Sequence, residues 1–399
     1  MNVLLDDTNL QFRDSARAFA QREIKPFVQD WMRDGAFPRQ IFKRLGELGF
    51  LGATFPAAVG GTEAGFLNLV LAAEQVGLAS PSLVTAFNMN AMTTPMALLN
   101  WGTAAQHDEY LTPMIKGDLI GSFALTEPAG GSDALGSMRT RAVRDGDDWV
   151  LNGSKVFITL APVADVAFVF AKTDPNAGHK GVSAFLVRYD DPGVSVQRMA
   201  MAPGLGSLIP PGEISFTDVR IPADRIVGDV GDGFKIAMNA LDYGRIAVAT
   251  KSLATGQVIR DHCIDYAQTR RAFGQEIGHF QLIQGHIADM VTEIEAGRGL
   301  IYQAAAAHDQ GVAATRLSAM AKYYMAEVTF RAANSTMEIF GGYGLTAEYP
   351  IVHLLHLAHL ARTGEGAANI LRIAIAEDAL GFRSMDRHNI RHRAVLERS

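Results

Sequence analysis

The sequence predicts an α+β protein with a helical N-terminal region, a middle antiparallel β-barrel or sandwich, and a C-terminal helical bundle. Three observations carry this. Apolar residues recur every three or four positions up to residue 118, and again from residue 228 to the end. Between them, residues 119–227 hold short apolar runs separated by Gly, Pro and Asp turns, with no helical stretch to cross between parallel strands. A chain of 399 residues is also too long for one ordinary core, which division into 1–118, 119–227 and 228–399 accommodates.

In the first region, Asp14 to Val28 carries Ala16, Phe19, Ala20, Ile24 and Phe27 as an amphipathic stripe. Ile41 to Gly49 is a short helix with a glycine stop, and Phe55 to Gly61 is a loop. Leu67 to Val76 and Ser82 to Asn100 resume helical spacing, and Pro113 marks a kink or a helix start. In the middle region the predicted strands are 120–125, 139–143, 149–151, 155–159, 166–171, 182–187 and 213–219, with a hairpin turn at Asp145-Gly146-Asp147-Asp148. In the last region, helices are expected over 234–269, 281–308, 315–340, 350–361 and 367–380.

Composition narrows the function. Hydrophobic residues are 48% and charged residues 20%, which describes a globular chain. Net charge is −6 without a long basic run, so nucleic acid is not an expected partner; Arg387, Arg391, His392, Arg393 and Arg398 read as a solvated tail. One cysteine, Cys263, excludes an intrachain disulfide and a thiolate metal cluster. With no signal-peptide pattern and no apolar run of membrane-spanning length, the cytoplasm is the expected location.

The chemistry-bearing stretch is Arg362-Thr363-Gly364-Glu365-Gly366-Ala367-Ala368-Asn369, a carboxylate between two glycines and between two apolar helices. Apolar surroundings disfavour the ionised form and make such a carboxylate a stronger base. Taken alone, the octapeptide more readily describes a solvated Glu in a turn, because exposed Glu is the ordinary case. Other stretches share this ambiguity. Thr126-Glu127-Pro128-Ala129-Gly130-Gly131-Ser132-Asp133 is either a ligand loop or a plain Gly/Ser loop. Phe157 and Thr159, two apart on a strand, share a face that suits a flat heterocycle, or are ordinary strand residues. Arg270 offers a planar fork for phosphate, and Phe340-Gly341-Gly342-Tyr343-Gly344 a second glycine loop without the strand–helix context of a nucleotide fingerprint. Asp242 and Arg245 at i and i+3 fit an intrahelical ion pair. His353, His356 and His359 have no evident carboxylate or Cys companion, which favours packing or solvent exposure over metal binding.

In order and spacing, these stretches resemble the acyl-CoA dehydrogenase family along nearly the whole chain. Leu125-Thr126-Glu127-Pro128 with Gly131-Ser132-Asp133 resembles its flavin and substrate loop; Phe157-Ile158-Thr159 the strand against the isoalloxazine; Asp242 to Arg245 its Asp-x-x-Arg segment; Arg270, Phe273, Gly274 and Gln281 the segment reaching a neighbouring subunit's cofactor; and Ile339 to Gly344 its Gly-Gly stretch. The resemblance implies a terminal four-helix bundle and non-covalent FAD at a subunit interface. It implies cofactor contacts at Phe123, Leu125, Thr126, Ser132, Phe157, Thr159, Arg270, Phe273, Gln281, Glu338, Gly341, Gly342, Ala367 and Asn369. Substrate contacts are implied at Ser132, Asp242, Arg245, Gly364 and Gly366.

Glu365 takes the place of the family's catalytic base. The other position relatives use, before the helical Arg, is Gly244 here, as in short-chain members. The implied reaction is α,β-dehydrogenation of an acyl-CoA or acyl-carrier thioester, with hydride passing to flavin N5. The implied partners are further copies of the chain, as a homotetramer, and an electron-transfer flavoprotein. Departures from the family pattern are Gly364 for an aromatic, Ala367 for Thr, Phe157 for Trp, Glu338 for Gln, and Ala57-Ala58 for an acidic pair. The absence of Arg between Pro81 and Trp101 argues against a decarboxylating dicarboxylyl enzyme. A reductase or oxidase on the same fold, and a non-catalytic flavin-binding subunit, are the alternatives.

Overall fold

The computed structural model describes residues 5–134, 136–202 and 205–385, so the basic tail lies outside the described residues. Helix α1 (Asp7–Phe19) starts earlier than its apolar stripe because Asp6 and Asn9 form a reciprocal capping box. It is followed by α2 (Val28–Asp34), α3 (Arg39–Glu47), α4 (Phe66–Ala79), α5 (Leu83–Asn88), α6 (Thr94–Trp101), α7 (Ala104–Gln106) and α8 (Thr112–Ile115). The helix expected over 82–100 is interrupted: five residues, Met89–Thr93, form a wider π turn between α5 and α6. Pro113 lies in the first turn of α8, where its missing N–H has no helical partner to lose. Helix α4 is buried almost all round because α1, α5, α9 (Gly233–Thr269) and α10 (Gln281–Asp309) pack against it.

The middle region holds β1 (Gly121–Ala124), β2 (Arg141–Asp145), β3 (Asp148–Thr159), β4 (Val166–Lys172), β5 (Val182–Arg188), β6 (Val194–Arg198), β7 (Pro211–Ile221) and β8 (Ile226–Val227). They form one sheet in the order β6-β7-β3-β2-β4-β5-β8, with β1 paired to β4. The expectation of a wholly antiparallel region is corrected here, since β1 runs parallel to β4. The chain enters β1 directly from the helical region, and the β2–β3 hairpin separates the two strands in sequence. Strands β6 and β8 were not expected: β6 is largely exposed and lacks an apolar run, and β8 has only two residues.

The sheet folds over on itself. The rings of Trp149 on β3 and Phe185 on β5 lie 5.7 Å apart although β2 and β4 intervene. Their side of the sheet holds a core with Leu151, Val169, Ile214 and Val219. Phe168, Phe170 and Leu186 face the other way, into the core shared with the helices. That double burial explains the unbroken apolar runs of β4 and β5.

After α9 come a small hairpin, β9 (Arg271–Ala272) with β10 (Gln275–Glu276), then α10, α11 (Thr315–Phe340), α12 (Ile351–Thr363) and α13 (Ala368–Ala379). Helices α9, α10 and α11 pack mutually, α12 packs against α9 and α11, and α13 packs against α11. No described helix is long and apolar enough to cross a membrane.

One buried ion pair ties the loop after β1 to β3. Lys155 donates from Nζ to Glu127 Oε1 at 2.8 Å and to the Leu125 carbonyl at 3.1 Å. Glu127 also accepts from the backbone N–H groups of Arg139 and Thr140. Burial alone would raise the Glu127 pKa, but Lys155 and these hydrogen bonds outweigh it and hold the carboxyl below its ordinary value. Lys155→Met leaves that carboxylate buried without its cation and should destabilise the protein by about 3–5 kcal/mol. The double variant E127Q/K155M should recover most of the loss, as read by thermal unfolding.

Candidate active site

Glu365 occupies the short link between α12 and α13, where helix α12 ends at Thr363. Gly364 is extended and donates its N–H to the Leu360 carbonyl at 3.2 Å. Glu365 and Gly366 then both take left-handed backbone angles, φ +53° and +95°. For Glu365 this is uncommon, since a Cβ there crowds the carbonyl. The turn aims its side chain at α9. A Cβ added to Gly244 would lie 2.5 Å from Glu365 Oε2, so the carboxylate fills the space left by that missing side chain.

Although the residue as a whole is half-buried, its Oε2 is enclosed and has no hydrogen-bond partner among the described residues. Burial raises the Glu365 pKa to about 7, opposed by the positive charges of Arg245 and Lys322. Arg245 donates to Asp242 Oδ1 at 2.9 Å, the expected ion pair within α9, and Thr315 donates to Asp242 Oδ2 at 2.6 Å. Asp242, Arg245, Gly364, Glu365 and Gly366 therefore converge. A Cβ on Gly364 would meet only the Leu360 carbonyl, at 3.9 Å, so there is room where the family carries an aromatic ring.

The sequence reading missed Lys322. It lies wholly buried on α11 and donates to the Gly366 carbonyl at 2.6 Å. A signal existed, because it interrupts the small and apolar stripe Ser318, Ala319, Met325, Ala326 and Thr329 at core-facing spacing.

A second group of predicted residues lies on and beside the sheet. Phe123 is buried against Phe168 and Phe170. Leu125 and Thr126 are half-buried, and the Thr126 carbonyl accepts from the Val156 N–H at 3.0 Å. Phe157 sits at a break in the β3–β7 register with φ +58° and is 60% exposed, an apolar ring left open beside the half-buried Thr159. Ser132 is exposed on the loop, where a Cβ on Gly131 would meet nothing within 4 Å.

A third group lines an open groove of about 480 Å³, where Arg270, Glu338, Gly341 and Gly342 join Tyr266, Phe340 and Tyr343. The Arg270 guanidinium lies 5.3 Å over the Tyr343 ring, and His286 Nε2 is 3.1 Å from Glu338 Oε2. Cβ atoms on Gly341 and Gly342 would again meet nothing. Sixteen residues of α11 separate Glu338 from Lys322, about 24 Å along the helix, so one chain does not bring this groove to Glu365. Phe273 (96% exposed) and Gln281 project into solvent, and Asn369 is exposed beside the half-buried Ala367. Two of the three histidines of α12 make side-chain contacts with other elements. His353 meets Ser82 at 3.1 Å, His359 packs on Phe330, and no metal-binding cluster occurs among the described residues.

A carboxylate with one enclosed oxygen, a glycine-lined groove and an exposed aromatic on a sheet are compatible with an oxidoreductase that uses a flat cofactor. The chain belongs to the acyl-CoA dehydrogenase family: residues 6–118, 122–219 and 231–380 match its N-terminal, middle and C-terminal domains. It is 36% identical over 376 residues to the caffeyl-CoA reductase–Etf complex subunit CarC of Acetobacterium woodii, covering 94% of this chain and 98% of that one. The solved butyryl-CoA dehydrogenase of Megasphaera elsdenii superposes with a TM-score of 0.90 at 32% identity, over 95% of this chain and 100% of that one. The FAD complex of PigA superposes with a TM-score of 0.90 at 29% identity, over 96% and 100%. FAD-dependent acyl-CoA dehydrogenation is the activity so identified, FAD is the cofactor, and the three-part helix–sheet–helix architecture is that of the family.

The raised pKa has a consequence for stability. Between the ordinary value of 4.5 and about 7 the folded protein holds a proton on Glu365 that the unfolded chain lacks. The associated stability is present below pH ~4.5 and is lost as pH rises through ~7. Glu365→Gln, neutral throughout, should therefore show a higher Tm than the parent at pH 8.5, with the gap closing toward pH 5 in paired thermal scans.

Proposed function

We propose that Glu365 is the base that removes the α-proton of an acyl thioester, and the observation that carries this is its enclosed Oε2, without a hydrogen-bond partner among the described residues, against Gly244. A base is most effective when its pKa lies near working pH, where such a group contributes about 10²–10⁴-fold. The open side of the turn, next to Gly364, receives the acyl group. No hydrogen bond among the described residues uses the Glu365 backbone N–H. It is thereby free to donate to the thioester oxygen as charge develops there, and one such donor contributes about 2.7–4 kcal/mol. Arg245 and Asp242 brace this side of the pocket.

FAD, when bound, would supply the acceptor for the hydride that leaves the β-carbon. Phe157, Thr159, Leu125, Thr126 and Ser132 would hold its ring system on the sheet, with Ala367 and Asn369 on the facing turn. Arg270, Phe273, Gln281, Glu338, Gly341 and Gly342 would hold the remainder. Phe273 and Gln281 point away from their own chain, and the groove lies far from Glu365 along α11, both of which support a homo-oligomer, a tetramer, in which these residues serve a neighbouring copy. Exposed Leu282, Leu345, Ile373 and Phe382 on the same bundle supply further apolar surface for such contacts. An electron-transfer flavoprotein is the proposed acceptor, in keeping with the Etf-complex subunit among the relatives.

That relative is named a reductase, and the room at Gly364 supports a bulkier acyl group, so reduction of an α,β-unsaturated thioester is the second reading. Anaerobic titration with saturated and unsaturated acyl-CoA and acyl-carrier thioesters separates the two: saturated thioesters should bleach the oxidised flavin. Glu365→Gln should purify yellow and resist bleaching, with a rate about 10²–10⁴-fold lower. Bleaching at the parental rate would sink the assignment.

A further inference from the structure

The turn that carries Glu365 contains two consecutive left-handed residues, one of them not glycine. Such backbone persists only where the surroundings fix it. On the α12 side, the Gly364 N–H is held by the Leu360 carbonyl. On the α13 side, among the described residues, the Gly366 carbonyl is held by one group, the Nζ of Lys322 at 2.6 Å. Lys322 reaches it from α11, a different element, and is 0% exposed.

The charges around the turn are distributed unequally. Arg245 on α9 is bonded to Asp242, and Glu327, on α11 with Lys322, is bonded to Arg362 at 2.9 Å. Lys322 bonds no carboxylate among the described residues. Burial lowers the Lys322 pKa to about 8, so it carries its charge below that pH; the charged groups that act on it are Glu365, Arg245 and Glu327, and those that act on Glu365 are Arg245 and Lys322. The ammonium that clamps the turn is thus also a cation facing the base.

We propose that Lys322 is the positioning residue of the active site, pinning the Gly366 carbonyl so that Glu365 is presented to the substrate channel, and holding the Glu365 carboxylate in its ionised form. The inference rests on Glu365 being the base, but its two roles are measurable without turnover. Loss of the ammonium makes ionisation of Glu365 harder, because a nearby opposite charge favours the ionised form of a carboxyl.

The test uses holoenzyme and reads Tm against pH for the parent and for E365Q, then repeats the pair in K322Q and K322M backgrounds. The pH at which the Tm advantage of E365Q is half developed reports the Glu365 titration. It should move up in both backgrounds. K322Q keeps a donor for Gly366 and should lose less Tm than K322M. A merely structural lysine would lower every Tm while leaving that midpoint in place, and an unchanged midpoint overturns the proposal. If K322M does not fold, K322Q alone decides the charge effect. K322R, which keeps the charge, should return the midpoint to the parental value. Failure of the base assignment would appear separately, as normal flavin bleaching by E365Q.

Discussion

The constraint on which the site depends is the placing of one carboxylate so that one of its oxygens, Oε2, is enclosed by the protein. Glu365 fits only because Gly244 has no side chain, and a Cβ there would stand 2.5 Å from its oxygen. Enclosure raises the carboxyl toward neutrality, while Arg245 and Lys322 draw it back. Neither effect alone gives a useful base. A fully solvated Glu is ionised but weak, and a fully buried one without cations holds its proton at working pH.

The frame around that carboxylate is built from elements whose own stability does not involve it. Helix α9, 37 residues long, carries Gly244, Asp242 and Arg245 and runs beside α4, α10 and α11. The β4 and β5 part of the sheet is buried on both faces, so the position of the loop after β1 follows from strand packing and from the Lys155–Glu127 pair. Both lysines lie in apolar interiors and both end on a backbone carbonyl of a functional loop, Leu125 in one case and Gly366 in the other. A buried ammonium is costly unless its donors are satisfied. In each place it fixes a segment whose backbone has few other partners.

Much of the fold was legible because its elements are long and strongly periodic. The helix expected over 315–340 coincides with α11, and those over 234–269 and 281–308 differ from α9 and α10 by one residue at one end. The alternation on β3 also placed Lys155 in register with the buried Trp149 and Leu151, a cue to its burial. What was not legible depended on partners distant in sequence. The parallel pairing of β1 with β4, the edge strands β6 and β8, and the π turn at Met89–Thr93 leave no periodic mark. At the site, the resemblance pointed to Glu365, Asp242 and Arg245, which the fold gathers, while Lys322 carries no motif.

The sequence by itself determined the three-part order of elements, the glycine turn holding Glu365, and the empty side-chain position at Gly244, because these depend on local periodicity and on residue identity. Only the tertiary structure decided that the two belong together, that the carboxylate is left without a hydrogen bond, and that a lysine from a third helix closes the turn. Those facts are distances between residues 43 and 121 positions apart from Glu365, namely Lys322 and Gly244, and no local pattern encodes a distance of that kind.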